Sequence, residues 1–302
     1  MSTLALLGIL CVASYEPSGA AIDWEDGELG QTAIVRMRSA PFPHASRAAG
    51  FKSGDKVFPR DPHYTDNSVA LFIPKGYRPE KQTDLLIYLH GHFNNIHRAM
   101  FECRLREQVV ASGRNVILVF PEGPKESPDS GGGRLEEEGG LKHLVEEALD
   151  VLVAERKIAG KELGRVALAG HSGAYRAIAF CLERGGLEDH VGPVCLLDAS
   201  YGLLDNFVDW LAGNQDARLF SVFTAHLADE NVYLMTHLRT LKVSYELLDE
   251  EDASEAIIQR ARVAFVNTQK LNHNETVRWL ERWLRASPLP PRPGAVSSHP
   301  AE

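Results

Sequence analysis

The sequence predicts an α/β chain built on a mostly parallel central sheet of about eight strands. Three observations carry this prediction. Short runs rich in Val, Ile, Leu and Phe read as buried strands. Helical apolar stripes lie between most of those runs. One run, at 165–169, passes through a glycine-rich turn straight into an amphipathic helix. The composition agrees: 302 residues, 44% hydrophobic and 24% charged, are globular values that exclude a disordered, collagen-like or coiled-coil chain. A chain of this length can bury a core without disulfide staples.

The elements follow in order. Residues 1–20 read as a leader: an apolar run at 4–13, too short to span a bilayer, precedes Ser18-Gly19-Ala20, a candidate cleavage site. No Arg or Lys occurs before Arg36, so the basic region of a secretory signal is missing. The pattern favours a secreted or periplasmic location over a cytoplasmic one. Residues 21–286 are expected to form one domain, because no linker or internal repeat divides them. Strands are expected at 33–38 and 68–73, with no helical pattern between them, so the sheet should open antiparallel. Further strands are expected at 84–89, 115–120, 165–169, 194–197, 219–224 and 263–266. Helical spacing occurs at 141–152 and 277–284. It also occurs after Gly173, where Ala174, Ala177, Ile178, Cys181 and Leu182 form one stripe. The loop at 120–130 follows a strand's carboxyl end, where a long loop commonly forms a substrate wall or lid. The stretch 131–140 reads as a surface loop. Residues 287–302, rich in Pro and Ser, read as a disordered tail.

The chemistry is concentrated at the turn Gly170-His171-Ser172-Gly173-Ala174. A strand, a sharp turn of small residues and a helix make the context in which a serine hydroxyl is lifted above a sheet edge. The helix start behind it offers backbone N–H groups to a developing oxyanion. The usual pattern is G-x-S-x-G, and Ala174 departs from it by one methyl. On this motif the chain resembles the α/β-hydrolase superfamily, over about residues 33–284. The resemblance implies a three-layer sandwich and the chain order nucleophile, acid, histidine. Ser172 is then the nucleophile. His273, between the strand 263–266 and the last helix, is the base, with His226 as runner-up. The acid is Asp198, which abuts its strand, or Asp229 or Glu230 one strand later; the sequence favours Asp198. The resemblance also implies an oxyanion hole from the backbone N–H groups of Gly173 and of His92, in His90-Gly91-His92. His171 adjoins the serine, but an elbow points consecutive side chains apart.

Other classes are disfavoured. Lys plus Arg is 32 against 41 Asp plus Glu, a net charge of −9, which argues against a nucleic-acid partner. His90, His92 and His97 cluster, but Asn94 and Asn95 stand where a metallo-hydrolase pattern needs Asp and His, so no metal and no cofactor are expected. The loop at 120–130 lacks the GK[ST] of a phosphate loop. Cys11, Cys103, Cys181 and Cys195 form no CxxC pair, and the last three are expected to be buried. Arg176 is expected in an internal salt bridge, with a substrate carboxylate as the alternative. The acidic runs at 136–138 and 249–252 are expected to be solvated. The reading is a serine hydrolase acting on a small-molecule acyl substrate, with carboxylic esters preferred and no integral membrane segment. A serine peptidase using the same residues, or a hydrolase-fold binding protein without catalysis, are the alternatives.

Overall fold

A computed structural model of the chain describes residues 21–294; the leader at 1–20 lies outside them. Ten strands join one sheet: β1 Glu25–Gly27, β2 Gly30–Arg36, β5 Ser68–Pro74, β6 Thr83–Leu89, β7 Ile117–Pro121, β8 Leu163–His171, β9 Val191–Leu197, β10 Arg218–Phe223, β11 Glu246–Asp249 and β12 Val263–Asn267. β3 Phe51–Ser53 and β4 Lys56–Phe58 form a separate hairpin. The sheet order is β1-β2-β5-β7-β6-β8-β9-β10-β12-β11. The pairs β1–β2, β2–β5 and β5–β7 are antiparallel, and every pair from β7 onward is parallel. The antiparallel opening is as expected.

The expected count of about eight strands is corrected to ten. All eight expected runs are strands, and the two additions are the edges, β1 and β11. Both are short, charged and exposed. An edge strand does not need an apolar run, so hydrophobic periodicity passes over it.

Helices cover both faces. They are α1 Arg60–His63, α2 Ile96–Glu102, α3 Leu105–Ala111, α4 Gly140–Ala154, α5 Tyr175–Arg184, α6 Leu204–Gly213, α7 Ala228–Thr240, α8 Glu255–Arg260 and α9 Trp279–Ala286. Strand side chains alternate between two cores. Leu85, Ile87, Ile117 and Val119 meet α4, α5, α6 and α7 residues such as Leu144, Ile178, Phe207 and Leu234. Leu86, Tyr88, Leu118 and Phe120 meet α2, α3, α8 and α9 residues such as Met100, Val109, Ile258 and Trp283. This is the expected three-layer sandwich. Among the described residues no helix is long and apolar enough to cross a membrane.

Two expected loops are not free. The stretch 131–140 is partly buried. Gly131, Gly132, Gly133 and Leu135 are covered, and Gly133 has φ +56° against the Pro41 carbonyl. The tail is corrected for residues 287–292, which pack on the body; Pro293 and Gly294 are exposed, and the rest of it lies outside the described residues. Leu289 is buried. Asn115 N donates to Pro290 O at 2.9 Å and Arg292 N to Gly113 O at 2.6 Å. The Arg114 guanidinium donates to the carbonyls of Leu284, Arg285 and Leu289. One apolar anchor and one carbonyl-collecting cation seat a segment whose composition alone suggested disorder.

Candidate active site

β8 delivers Ser172 at its carboxyl end. The serine has φ +55°, a left-handed conformation that costs a non-glycine residue energy and is typical of a nucleophile elbow. Its neighbours are small by necessity. A Cβ on Gly91 would lie 2.7 Å from the Ser172 Cβ, and one on Gly173 would lie 2.4 Å from the His92 ring. The loop after β6 is thereby pressed against the elbow. A Cβ on Gly170 would lie 2.7 Å from that of Ala174. The motif's alanine is tolerated because the glycine opposite it leaves room for one methyl.

Asp198 ends β9, also with positive φ (+50°), and its side chain is fully buried. His273 Nδ1 lies 2.7 Å from Asp198 Oδ2. A carboxylate can only accept, so Nδ1–H donates and the Nε2 lone pair is left free. Thr224, just beyond β10, donates its N–H to Asp198 Oδ1 at 2.9 Å and its hydroxyl to Oδ2 at 2.8 Å. Burial pushes the Asp198 carboxyl up, but the hydrogen bonds from His273 and Thr224 outweigh it and hold the carboxyl below its ordinary value. His273 opens a short 3₁₀ helix, His273–Arg278, capped by Asn272 in a reciprocal capping box with Glu275.

Ser172, His171, His273, His92 and Tyr201 line one cavity of about 1210 Å³. Its far end is polar, with Arg98, Arg104, Gln108, Arg278 and Glu281. His171 sits behind the serine, buried. Its Nε2 donates to the His273 carbonyl at 3.0 Å, and the two rings stand 4.6 Å apart. Burial, then the neighbouring His273, lower its pKa to about 4, so it is neutral at neutral pH and braces the histidine loop.

The other expected residues fall as follows. Asp229 and Glu230 lie in the first turn of α7, and Asp229 is exposed, whereas Asp198 holds His273. His226 Nδ1 is 3.7 Å from Asp198 Oδ2 and bonds instead to Thr224 Oγ1 at 2.6 Å. His92 Nε2 bonds Ser130 Oγ at 2.8 Å, which ties the loop after β7 to the loop after β6. That loop is also pinned by Asp129 to Arg47 and by Ser127 to Tyr64. His90, His92 and His97 do not converge. His90 Nε2 is 3.0 Å from the buried Glu122 carboxylate, and His97 faces a different groove. Asp198, His226 and His273 do present ligand-type atoms within 4.8 Å of one another. The Nδ1–H groups of His273 and His226 are already directed at Asp198 and Thr224, and a cation would have to displace those protons. Arg176 pairs with Glu136 at 2.7 Å, as expected; Glu136 is therefore not the solvated residue expected, though Glu137 and Glu138 are exposed. Cys181 and Cys195 are buried, Cys103 only half-buried.

No family model and no curated protein matches the chain. Solved structures do. A serine-to-alanine mutant of the feruloyl esterase module from Clostridium thermocellum, complexed with sinapinate, superposes with TM-score 0.51 at 13% identity, over 88% of this chain and 96% of that one. The chain has the α/β-hydrolase fold. An S-formylglutathione hydrolase from Agrobacterium tumefaciens is also similar, with TM-score 0.48 at 10% identity, over 87% of this chain and 98% of that one. Within the α/β-hydrolase fold the carboxyl ends of the parallel strands carry the site, and here Ser172, Asp198 and His273 all stand at that edge. Sequence reasoning missed Thr224, Tyr201 and the bracing role of His171. Only Thr224 carried a signal, as the polar end of an expected strand.

Proposed function

We propose that the chain is a serine hydrolase that cleaves a carboxylic ester through an acyl-enzyme on Ser172. The observation that carries the reading is the left-handed Ser172, which shares a cavity with a histidine whose Nδ1–H is bound to a buried aspartate. The esterase named among the similar structures belongs to the same reaction class.

In this reading His273 Nε2 takes the Ser172 proton as the oxygen attacks the ester carbonyl. The C–O bond to the alcohol then breaks, and His273 returns the proton to the departing alkoxide. Water, deprotonated by the same nitrogen, hydrolyses the acyl-enzyme and restores the serine. Asp198 fixes the histidine tautomer and offsets the imidazolium charge. The backbone N–H groups of Gly173 and His92 hold the oxyanion, at a cost of about 3 kcal/mol in barrier if one is lost. Esters are preferred to amides because an alkoxide leaves more readily than an amine anion.

A fluorophosphonate should label the wild type at Ser172. The substitution Ser172→Ala should abolish labelling and lower kcat on a p-nitrophenyl ester by roughly a million-fold. A folded wild type that neither labels nor turns over the ester would mark a binding protein on a hydrolase scaffold.

A further inference from the structure

We propose that Tyr201 presents a hydrogen-bond acceptor to the substrate. The preferred ester therefore carries a hydroxyl or N–H donor on the first or second carbon from the scissile ester group. This rests on the hydrolase reading above and adds the substrate's chemistry to it.

The inference follows from a chain of hydrogen bonds that ends on Asp198. Tyr201 Oη lies 2.7 Å from His226 Nε2. His226 Nδ1 lies 2.6 Å from Thr224 Oγ1, and Thr224 Oγ1 lies 2.8 Å from Asp198 Oδ2. The direction of every bond can be assigned from the inventory of protons. The carboxylate has none to give, so the single Thr224 hydroxyl proton points at Asp198. Thr224 Oγ1 must then accept from His226, which places that ring's proton on Nδ1. In the neutral ring the remaining nitrogen, Nε2, is a lone pair, so the Tyr201 phenol donates to it. The only proton of Tyr201 is thereby committed away from the cavity that Ser172 and His273 share. What the phenol offers that cavity is oxygen lone pairs.

The residue is held for this task. Ser200, the residue before it, accepts a hydrogen bond from the fully buried Asn231 at 2.8 Å. Asn231 is itself bonded to Ser221 and to the Leu227 carbonyl. The Tyr201 ring packs at 6.0 Å from Tyr175, 5.6 Å from His226 and 6.2 Å from His273. Burial, then the nearby Asp198, raise the phenol above its ordinary pKa, while the Ser172 hydroxyl acts in the opposite sense. The group is thus a neutral phenol beside the serine. Oriented this way, it favours a substrate donor and disfavours a group that can only accept.

The test uses two series of esters, each with three members. One series varies the acyl side: p-nitrophenyl esters of a 2-hydroxy acid, its 2-methoxy analogue and the plain acid. The other varies the alcohol side: acetates of ethylene glycol, of 2-methoxyethanol and of propanol. Each kcat/KM is divided by the hydroxide-catalysed rate of the same ester, which removes intrinsic reactivity. In at least one series the hydroxy ester should exceed the plain one by about two- to tenfold, the range of one neutral hydrogen bond. The methoxy ester should fall below the plain one. The series that responds identifies the side of the ester that carries the donor. Tyr201→Phe should erase the hydroxy preference. His226→Leu frees the phenol proton to face the cavity, so it should relieve the methoxy penalty. Thermal melting checks that both variants are folded. Equal corrected rates for hydroxy and methoxy esters in both series, or a preference that survives Tyr201→Phe, would overturn the proposal while leaving the hydrolase reading intact. A wild type without turnover and without fluorophosphonate labelling would remove both.

Discussion

Asp198 is a carboxylate with no solvent exposure, and it stays charged because three donors from two neighbouring segments reach it. Removing its charge while keeping its shape isolates that role. Asp198→Asn should lower kcat by about 10⁴-fold, because both Asp198 oxygens accept hydrogen bonds, and the amide replaces one of them with an NH2 donor and carries no charge to hold the tautomer. Asp229→Asn, on the exposed first turn of α7, should change kcat by less than about twofold, within the usual range for a surface position. Steady-state rates on one p-nitrophenyl ester compare the two. The contrast explains what a single sequence could carry at this scale. Ser172 and Asp198 each follow directly on a strand, and His273 lies in the loop after the last one; a strand end is visible as the point where an apolar run stops. Tyr201, Thr224 and His171 act through bonds that cross between strands. Such bonds leave no periodicity or spacing to read, and of the three only Thr224 carried a signal, as the polar end of an expected strand.

The elbow is where strand β8 and helix α5 must approach most closely. Gly170 and Ala174 share the space of one methyl, with the Ile178 side chain on the same spot. Gly170→Ala should therefore destabilise the fold by about 1–3 kcal/mol through overpacking. Adding Ala174→Gly should return part of that loss, although the glycine itself weakens the helix start. A double-mutant cycle in urea measures the coupling, and strictly additive effects would show that the two positions do not share space. The motif's departure from its usual form is thus a packing exchange between two small positions. The eight interior strands were legible because each is an apolar run. β1 and β11 were not, because an edge pairs through backbone and can be as polar as Glu25-Asp26-Gly27.

Across the whole molecule most of the groups that titrate in acid point in one direction; Asp84, whose carboxyl burial pushes up, is the exception. His171 takes its proton at about 4 when folded but near 6.5 when unfolded. Between those values the unfolded chain binds more protons. Stability should then be full above pH 6.5 and decline by roughly 3 kcal/mol as the pH falls to 4. Below that, Asp66, Asp129, Glu136 and Asp198 have lowered pKa values. Their stabilisation is present above the ordinary carboxylate range and is lost as the pH falls through the folded values. Urea midpoints from pH 7 to pH 4 should show the first decline, and His171→Gln should flatten it. The three-layer architecture needed only the order of strands and helices to be foreseen. The seating of residues 287–292 did not follow from composition, because it depends on Arg114 lying close in space and far away in sequence.

The strands that carry Ser172, Asp198, Thr224 and His273, together with β6 before His90, are consecutive in the sheet: β6, β8, β9, β10 and β12. The proposed reaction groups therefore all stand at one rim of the sheet. Gln215, in the exposed turn that enters β10, lies about 20 Å from the reacting rim, the length of that six-residue strand. A thiol introduced there by Gln215→Cys and coupled to a solid support would mount the molecule with its cavity turned outward. Such an immobilised catalyst should keep the turnover of the free protein, whereas attachment at Arg98 or Arg104, which line the cavity, would turn it toward the surface.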